Sequence, residues 1–163
     1  MAPIRQFGPT GLRLSEVSRI ALADIQLPEK IGKDEGNGGW LRITGKGRKG
    51  RFVTLNYTAA KAVKRYLAVR PKLDDPRLFL TKFGHGMGPR SIEQMVAKSL
   101  NQAGIGGATV HTLRHAFAAQ HVKRGTKLDV VRQALGHESL ATTSLYVELA
   151  RDVMDREMRQ HAL

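Results

Sequence analysis

Apolar residues recur at helical spacing along most of the chain and gather into three short strand-like runs near its first third. Leu12, Val17, Ile20 and Ala21 share a helical spacing, which predicts a helix over Leu12–Ala23. Ile25–Leu27, Trp40–Thr44 and Phe52–Leu55 read as strands. The Gly- and charge-rich loop Lys30–Gly39 separates the first two, and the basic turn Gly45–Gly50 separates the last two. Asn56 or Thr58 caps a helix running through Val69, which Pro71 stops, and Leu78–Leu80 is a short extended piece before the loop Gly84–Gly88. Pro89 suits the first turn of a helix to about Ala103, ended by Gly104 and the Gly106-Gly107 pair. Beyond it nearly everything reads helical: His111–Lys123, Lys127–Leu135, Ala141–Leu149 and Ala150–His161, with Gly125 and Gly136 as breaks. Met1–Thr10, with Gly8-Pro9, reads as irregular. The pattern predicts one mainly α domain carrying a small three-stranded antiparallel sheet, an α+β arrangement.

Composition changes this picture little, and charge changes it a good deal. A chain of 163 residues suits one domain. Aromatics are only 6% of the residues, so the core must rest on Leu, Val, Ile and Ala. The absence of Cys excludes a disulfide framework and thiolate chemistry. No apolar run approaches the roughly 18 residues of a membrane helix, and the first residues lack the apolar stretch of a signal peptide, so a cytoplasmic location and no membrane are expected. Lys and Arg number 27 against 14 Asp and Glu, a net charge of +13. A domain this basic repels itself unless a polyanion belongs to its working state, which points to nucleic acid. A ribosomal-type or merely soluble basic protein is the alternative at this level.

Four short segments carry candidate chemistry. In His111-Thr-Leu-Arg114-His115 the i, i+3 spacing puts His111 and Arg114 on one helix face, able to converge on one ligand. His111 and His115 also have the i, i+4 spacing of a zinc pair, but Thr112 stands where the metalloprotease pattern needs Glu, so packing is the better reading. In Leu135-Gly136-His137, Gly136 can end a helix in the left-handed conformation and leave His137 at an exposed junction, nine residues before Tyr146. Taken singly, His137 reads as a solvated cap and Tyr146 as a packing residue. The turn Gly45-Lys46-Gly-Arg48-Lys49-Gly-Arg51 combines cations with glycines that let backbone approach a phosphate. Alone, it is equally a solvated hairpin tip. Thr10-Gly-Leu-Arg13-Leu-Ser-Glu16 sets Arg13 at a helix start, where helix-end N–H groups also favour an anion.

Taken in order, Thr10-Gly-Leu-Arg13-Leu-Ser-Glu16, Gly45-Lys46-Gly, His111-x-x-Arg114-His115, Leu135-Gly136-His137 and Tyr146 resemble the tyrosine recombinase (phage integrase) family, its Xer-type members included. Ala103-Gly-Ile and Leu140-Ala-Thr-Thr extend the likeness, which covers the chain from Thr10 onward. The resemblance implies the DNA breaking-rejoining fold and a site-specific recombinase or integrase, which is an enzyme that needs neither cofactor nor metal. It implies that Arg13 and Arg114 clamp the scissile phosphate, His111 and His137 assist, Lys46 is the general acid and Tyr146 is the nucleophile. Two planar guanidinium forks suit the charge that builds on the non-bridging oxygens, in a way Lys cannot copy. Glu16 is expected to be structural, bonding backbone or a basic neighbour. Arg48, Lys49, Arg51, Arg90 and Lys98 are expected to contact backbone phosphates.

The partners implied are double-stranded DNA and further copies of the chain, as a tetramer on DNA. The apolar stripe Leu149, Val153, Met154 and Met158 in the C-terminal segment 147–163 is expected to dock on a neighbouring protomer. Family members also carry a helical DNA-binding domain and a full helix ahead of the Thr-Gly-Leu-Arg motif. Only about ten residues precede it here, so an absent core-binding domain and weak, salt-dependent DNA affinity are expected. Two alternatives stand beside the recombinase: a type IB topoisomerase, with a similar Arg/Lys/His/Tyr set, and a non-catalytic DNA-binding remnant.

Overall fold

The computed structural model describes residues 10–32, 38–45 and 50–136. These form α1 (Leu14–Arg19), β1 (Ile25–Gln26), β2 (Trp40–Thr44), β3 (Gly50–Thr54), α2 (Tyr57–Val69), α3 (Pro89–Gln102), α4 (Val110–Lys123) and α5 (Leu128–Leu135). Mostly helical with one small sheet among the described residues, this arrangement matches the sequence reading. The helices expected over Ala141–Leu149 and Ala150–His161, and the docking tail, lie outside the described residues.

The strands pair antiparallel in the order β1-β2-β3. Alternation sorts β2 cleanly: Leu41 and Ile43 are buried while Trp40, Arg42 and Thr44 are exposed. On β3, Val53 is buried and Phe52 is 67% exposed, its ring edge-on to Trp40. The register Ile43↔Arg51 therefore puts a charged residue on the buried face of the sheet.

One helix is shorter than its pattern suggested. The predicted span Leu12–Ala23 yields α1 over only Leu14–Arg19, followed by a 3-10 turn at Leu22–Asp24. Leu78 N donates to the Ile20 carbonyl (2.7 Å), Leu22 N donates to the Pro76 carbonyl (2.8 Å), and Ala21 pairs with Arg77. Pairing with that distant segment outweighs the local helical spacing.

Asn56 caps α2, its side chain accepting from Ala59 N at 2.8 Å, and α2 buries Ala59, Ala60 and Val63. Arg70, just past α2, donates to the carbonyls of Pro71, Asp75, Arg77 and Leu78, which fixes the path of the long connection to α3. That connection sends Leu78 and Phe79 into the main core, beside Leu12, Val17, Ile20, Leu41 and Leu55. The helix α3 packs on α1 and closes the core with Ile92 and Val96. A second cluster, Ala118, Val122, Val131 and Leu135, joins α4 to α5. Gly11 adopts φ +66, and a Cβ there would meet Phe117 at 2.7 Å and Leu135 at 2.9 Å. The lead into α1 thus lies directly on the α4–α5 pair, with no room for a side chain.

Leu41 is fully buried at the centre of the sheet. Leu41→Ala is expected to lower unfolding free energy by about 2–5 kcal/mol, and Phe52→Ser by no more than about 0.5 kcal/mol. Urea denaturation of the two variants checks this, and equal losses would contradict the assigned faces.

Candidate active site

The site is organised around the C-terminal end of α5. A helix end leaves carbonyls without intrahelical partners, and here three successive ones are claimed by arginines from three different elements. Arg51 Nε donates to Ala134 O at 3.1 Å, Arg114 Nη2 to Leu135 O at 2.7 Å, and Arg13 Nη2 to Gly136 O at 2.8 Å. Positive charge at a helix C-terminus is also favoured by the helix dipole. Arg114, buried on α4, donates through Nη1 to the Gly11 carbonyl as well, so one guanidinium ties the lead into α1 to the end of α5.

Glu16 balances this cationic cluster. Its buried carboxylate receives four bonds: Oε1 from Arg51 Nη1 (2.8 Å) and Arg13 Nη1 (3.3 Å), Oε2 from Arg51 Nη2 (2.9 Å) and the Arg13 amide (2.7 Å). Four acceptor sites are what a carboxylate offers. The Arg51 pair is the bidentate fork geometry, and the bond to the Arg13 amide closes the first turn of α1. Burial by itself would raise the Glu16 carboxyl. The Arg51 hydrogen bond, the Arg13 amide and the two guanidinium charges overcome it and hold the group below its ordinary value.

Gly136 adopts φ +63, and a Cβ there would lie 2.7 Å from Arg51 Nη1. The left-handed turn foreseen from Leu135-Gly136 is thus present, and the arginine cluster adds a second reason for glycine.

Arg13 and Arg114 are therefore brought together, each on one of two adjacent carbonyls. They differ in access: Arg114 is buried, while the Arg13 side chain is 41% exposed. His111 is exposed in the first turn of α4, one turn ahead of Arg114, on a helix whose start Thr109 caps at Thr112 N (3.2 Å). Arg90 and Lys98 lie on the exposed side of α3, away from buried Ile92 and Val96. Lys46, Arg48, Lys49, His137 and Tyr146 lie outside the described residues.

Where the sequence reading set Arg51 among outward phosphate contacts, the structure turns it inward. Its side chain is 16% exposed, and both faces of its fork are committed to Glu16 and Ala134. The signal was available, because Arg51 alternates with Val53 and Leu55 and so occupies a core-facing position. A charge there requires a buried partner, and Glu16 supplies it.

Residues 7–152 match the phage integrase family. The chain belongs to the phage integrase family. Over 167 residues it is 34% identical to tyrosine recombinase XerC of Lactobacillus leichmannii, a match covering 98% of this chain and 54% of the relative. Over 149 residues it is 36% identical to tyrosine recombinase XerD of Corynebacterium glutamicum, covering 88% of this chain and 46% of the relative. The chain thus spans about half the length of these curated relatives. Among solved structures of the family, the XerA recombinase superimposes with a TM-score of 0.78 at 29% identity, covering 97% of this chain and 56% of that one. The XerH site-specific recombinase bound to its difH substrate, a pre-cleavage complex, gives 0.73 at 28% identity, covering 88% and 41%.

The depressed Glu16 pKa makes stability depend on acid in a fixed direction. Its contribution is full above the ordinary value of 4.5 and is lost as pH falls through the lower folded value. Glu16→Gln, which leaves two arginines without their counter-charge, is expected to cost about 3–5 kcal/mol at pH 7. That gap from the parent chain should close progressively below pH 4.5 in urea titrations. A gap independent of pH would exclude Glu16 as the ionised partner.

Proposed function

We propose that the chain is the strand-cleaving domain of a site-specific DNA recombinase. The observation that carries this is the convergence of Arg13 and Arg114 on the adjacent carbonyls of Leu135 and Gly136, one of them half-exposed and both braced from behind. A phosphodiester gains negative charge on its non-bridging oxygens as a fifth bond to phosphorus forms, and preorganised guanidinium donors favour that state over the ground state.

In the reaction the Tyr146 oxygen attacks phosphorus while His111 takes its proton. The bond from phosphorus to the 5′ oxygen breaks, and the departing alkoxide takes a proton from Lys46. His137 donates to a non-bridging oxygen. Tyr146 starts from a pKa of about 10 and so needs a base or a stabilising charge at neutral pH. The product is a 3′-phosphotyrosyl link and a free 5′ hydroxyl. That link keeps the energy of the broken phosphodiester, so attack by another 5′ hydroxyl completes strand exchange without nucleotide hydrolysis.

Arg48, Lys49, Arg90 and Lys98 contact backbone phosphates and fix register on cytoplasmic double-stranded DNA, and several copies assemble there as a tetramer. The relatives and structures that this chain resembles are recombinases and integrases, which disfavours the topoisomerase alternative. Among the described residues no helix is long and apolar enough to cross a membrane.

The test uses this 163-residue chain and nicked suicide duplexes of randomised sequence at low salt, with covalent protein–DNA adducts isolated and sequenced. An adduct enriched in one sequence is expected, absent in Tyr146→Phe and slowed about 10²–10³-fold in Arg13→Lys. An adduct that persists in Tyr146→Phe would refute the nucleophile. No adduct from any sequence would refute strand cleavage by this chain.

A further inference from the structure

We infer that Arg51 is a positioning residue for strand cleavage, holding Arg13 and the end of α5 in one frame without touching DNA. The inference rests on the function proposed above and deepens it. Three observations carry it. Arg51 sits on the core face of β3, opposite Ile43, with its side chain only 16% exposed, so it is placed for internal bonding rather than for a ligand in solvent. Its fork fills one lone pair on each oxygen of Glu16, and the other two go to the Arg13 guanidinium and amide. Its Nε donates to Ala134 O, two residues before the carbonyl that Arg13 itself binds.

Arg51 is thus the group common to both supports of Arg13. Without it, Glu16 loses the partner that fixes both of its oxygens, and Arg13 loses a carboxylate of defined orientation. The turn at Gly136 loses one of its three arginine anchors. Lys cannot replace it, because a single ammonium cannot serve two carboxylate oxygens and a carbonyl in one plane. The contact is also close enough to specify its neighbour, since any Cβ at position 136 would collide with the Arg51 guanidinium.

The test compares the parent chain with Arg51→Lys and with Glu16→Gln/Arg51→Met, which removes the Arg51–Glu16 pair together and leaves only the part-exposed Arg13 without its counter-charge. Circular dichroism confirms that each variant is folded under the assay conditions. The salt dependence of DNA binding is expected to match the parent, since no phosphate contact is removed, while adduct formation at saturating DNA slows about 10²-fold in both variants, as for a displaced catalytic group. With Arg13 already changed to Lys, adding Arg51→Lys should cost little more, because the two act as one unit. A second readout requires no catalysis. The Arg13 Nε–Hε resonance is followed while inorganic phosphate is added, and both variants should shift it and weaken its response to phosphate.

Unchanged cleavage at saturating DNA together with an unchanged Arg13 resonance would overturn the inference. So would a binding-salt slope that falls by about 0.9 in the double variant, which is the mark of a lost phosphate contact. If the parent forms no adduct, the proposed function fails while the Arg13 resonance still decides whether Arg51 positions it.

Discussion

A helix that ends inside a protein leaves carbonyl groups that need donors, and much of this structure answers that need at the end of α5. Ala134, Leu135 and Gly136 present three carbonyls in succession, and Arg51, Arg114 and Arg13 meet them in the same succession. The donors come from β3, α4 and the start of α1, so one helix end fastens three elements remote in sequence. The cost is three guanidinium charges gathered in a small volume. Glu16 offsets part of it, and its complete set of four bonds is what makes a buried carboxylate tolerable there. Remove any one of these groups and a buried partner is left unsatisfied, so the cluster holds as a unit.

The two hydrophobic clusters serve this arrangement. The larger one fixes the sheet and α3 beneath α1, which places Arg13 and Arg51 on either side of Glu16. The smaller one fixes the angle between α4 and α5, which brings Arg114 to Leu135. Gly11 is where the two meet, with its backbone against Phe117 and Leu135 and its carbonyl on Arg114. The Thr-Gly-Leu-Arg segment is therefore a seam between cores as well as the source of a charged group. On the proposed function, this explains why a motif that supplies one phosphate ligand also demands a glycine two residues earlier.

Much of the fold was legible in the sequence because local chemistry and final structure agree there. The strand Trp40–Thr44 alternates strictly, the Asn56 cap and Pro89 start mark two helices, and Gly136 marks the end of a third. The reading overran at Ile20 and Ala21, whose helical spacing yields to pairing with residues 76–78, a contact that no local pattern announces. Motif order brought Arg13, His111 and Arg114 forward as candidates. Arg51 is expected from the sequence among the phosphate contacts, because its place in a basic turn suggests solvent, while its alternation with Val53 and Leu55 points inward. For Arg51, register is a better guide to placement than charge.

On the proposed function, Arg13 and Arg114 are built for different parts in clamping a phosphate. Arg114 lies buried with bonds to two backbone carbonyls, so its guanidinium plane is set before any ligand arrives. Arg13 is half-exposed, and its side-chain bonds to Glu16 and Gly136 engage two of the five N–H donors that a guanidinium carries. An arriving phosphate can therefore be met by Arg13 without dismantling the brace, and its charge adds to that of Glu16 in neutralising the cluster. On that proposal, an anionic ligand relieves a crowding of like charges that the fold itself creates. Preorganisation and electrostatic need thus act in the same direction, toward a site that is most comfortable when it holds negative charge.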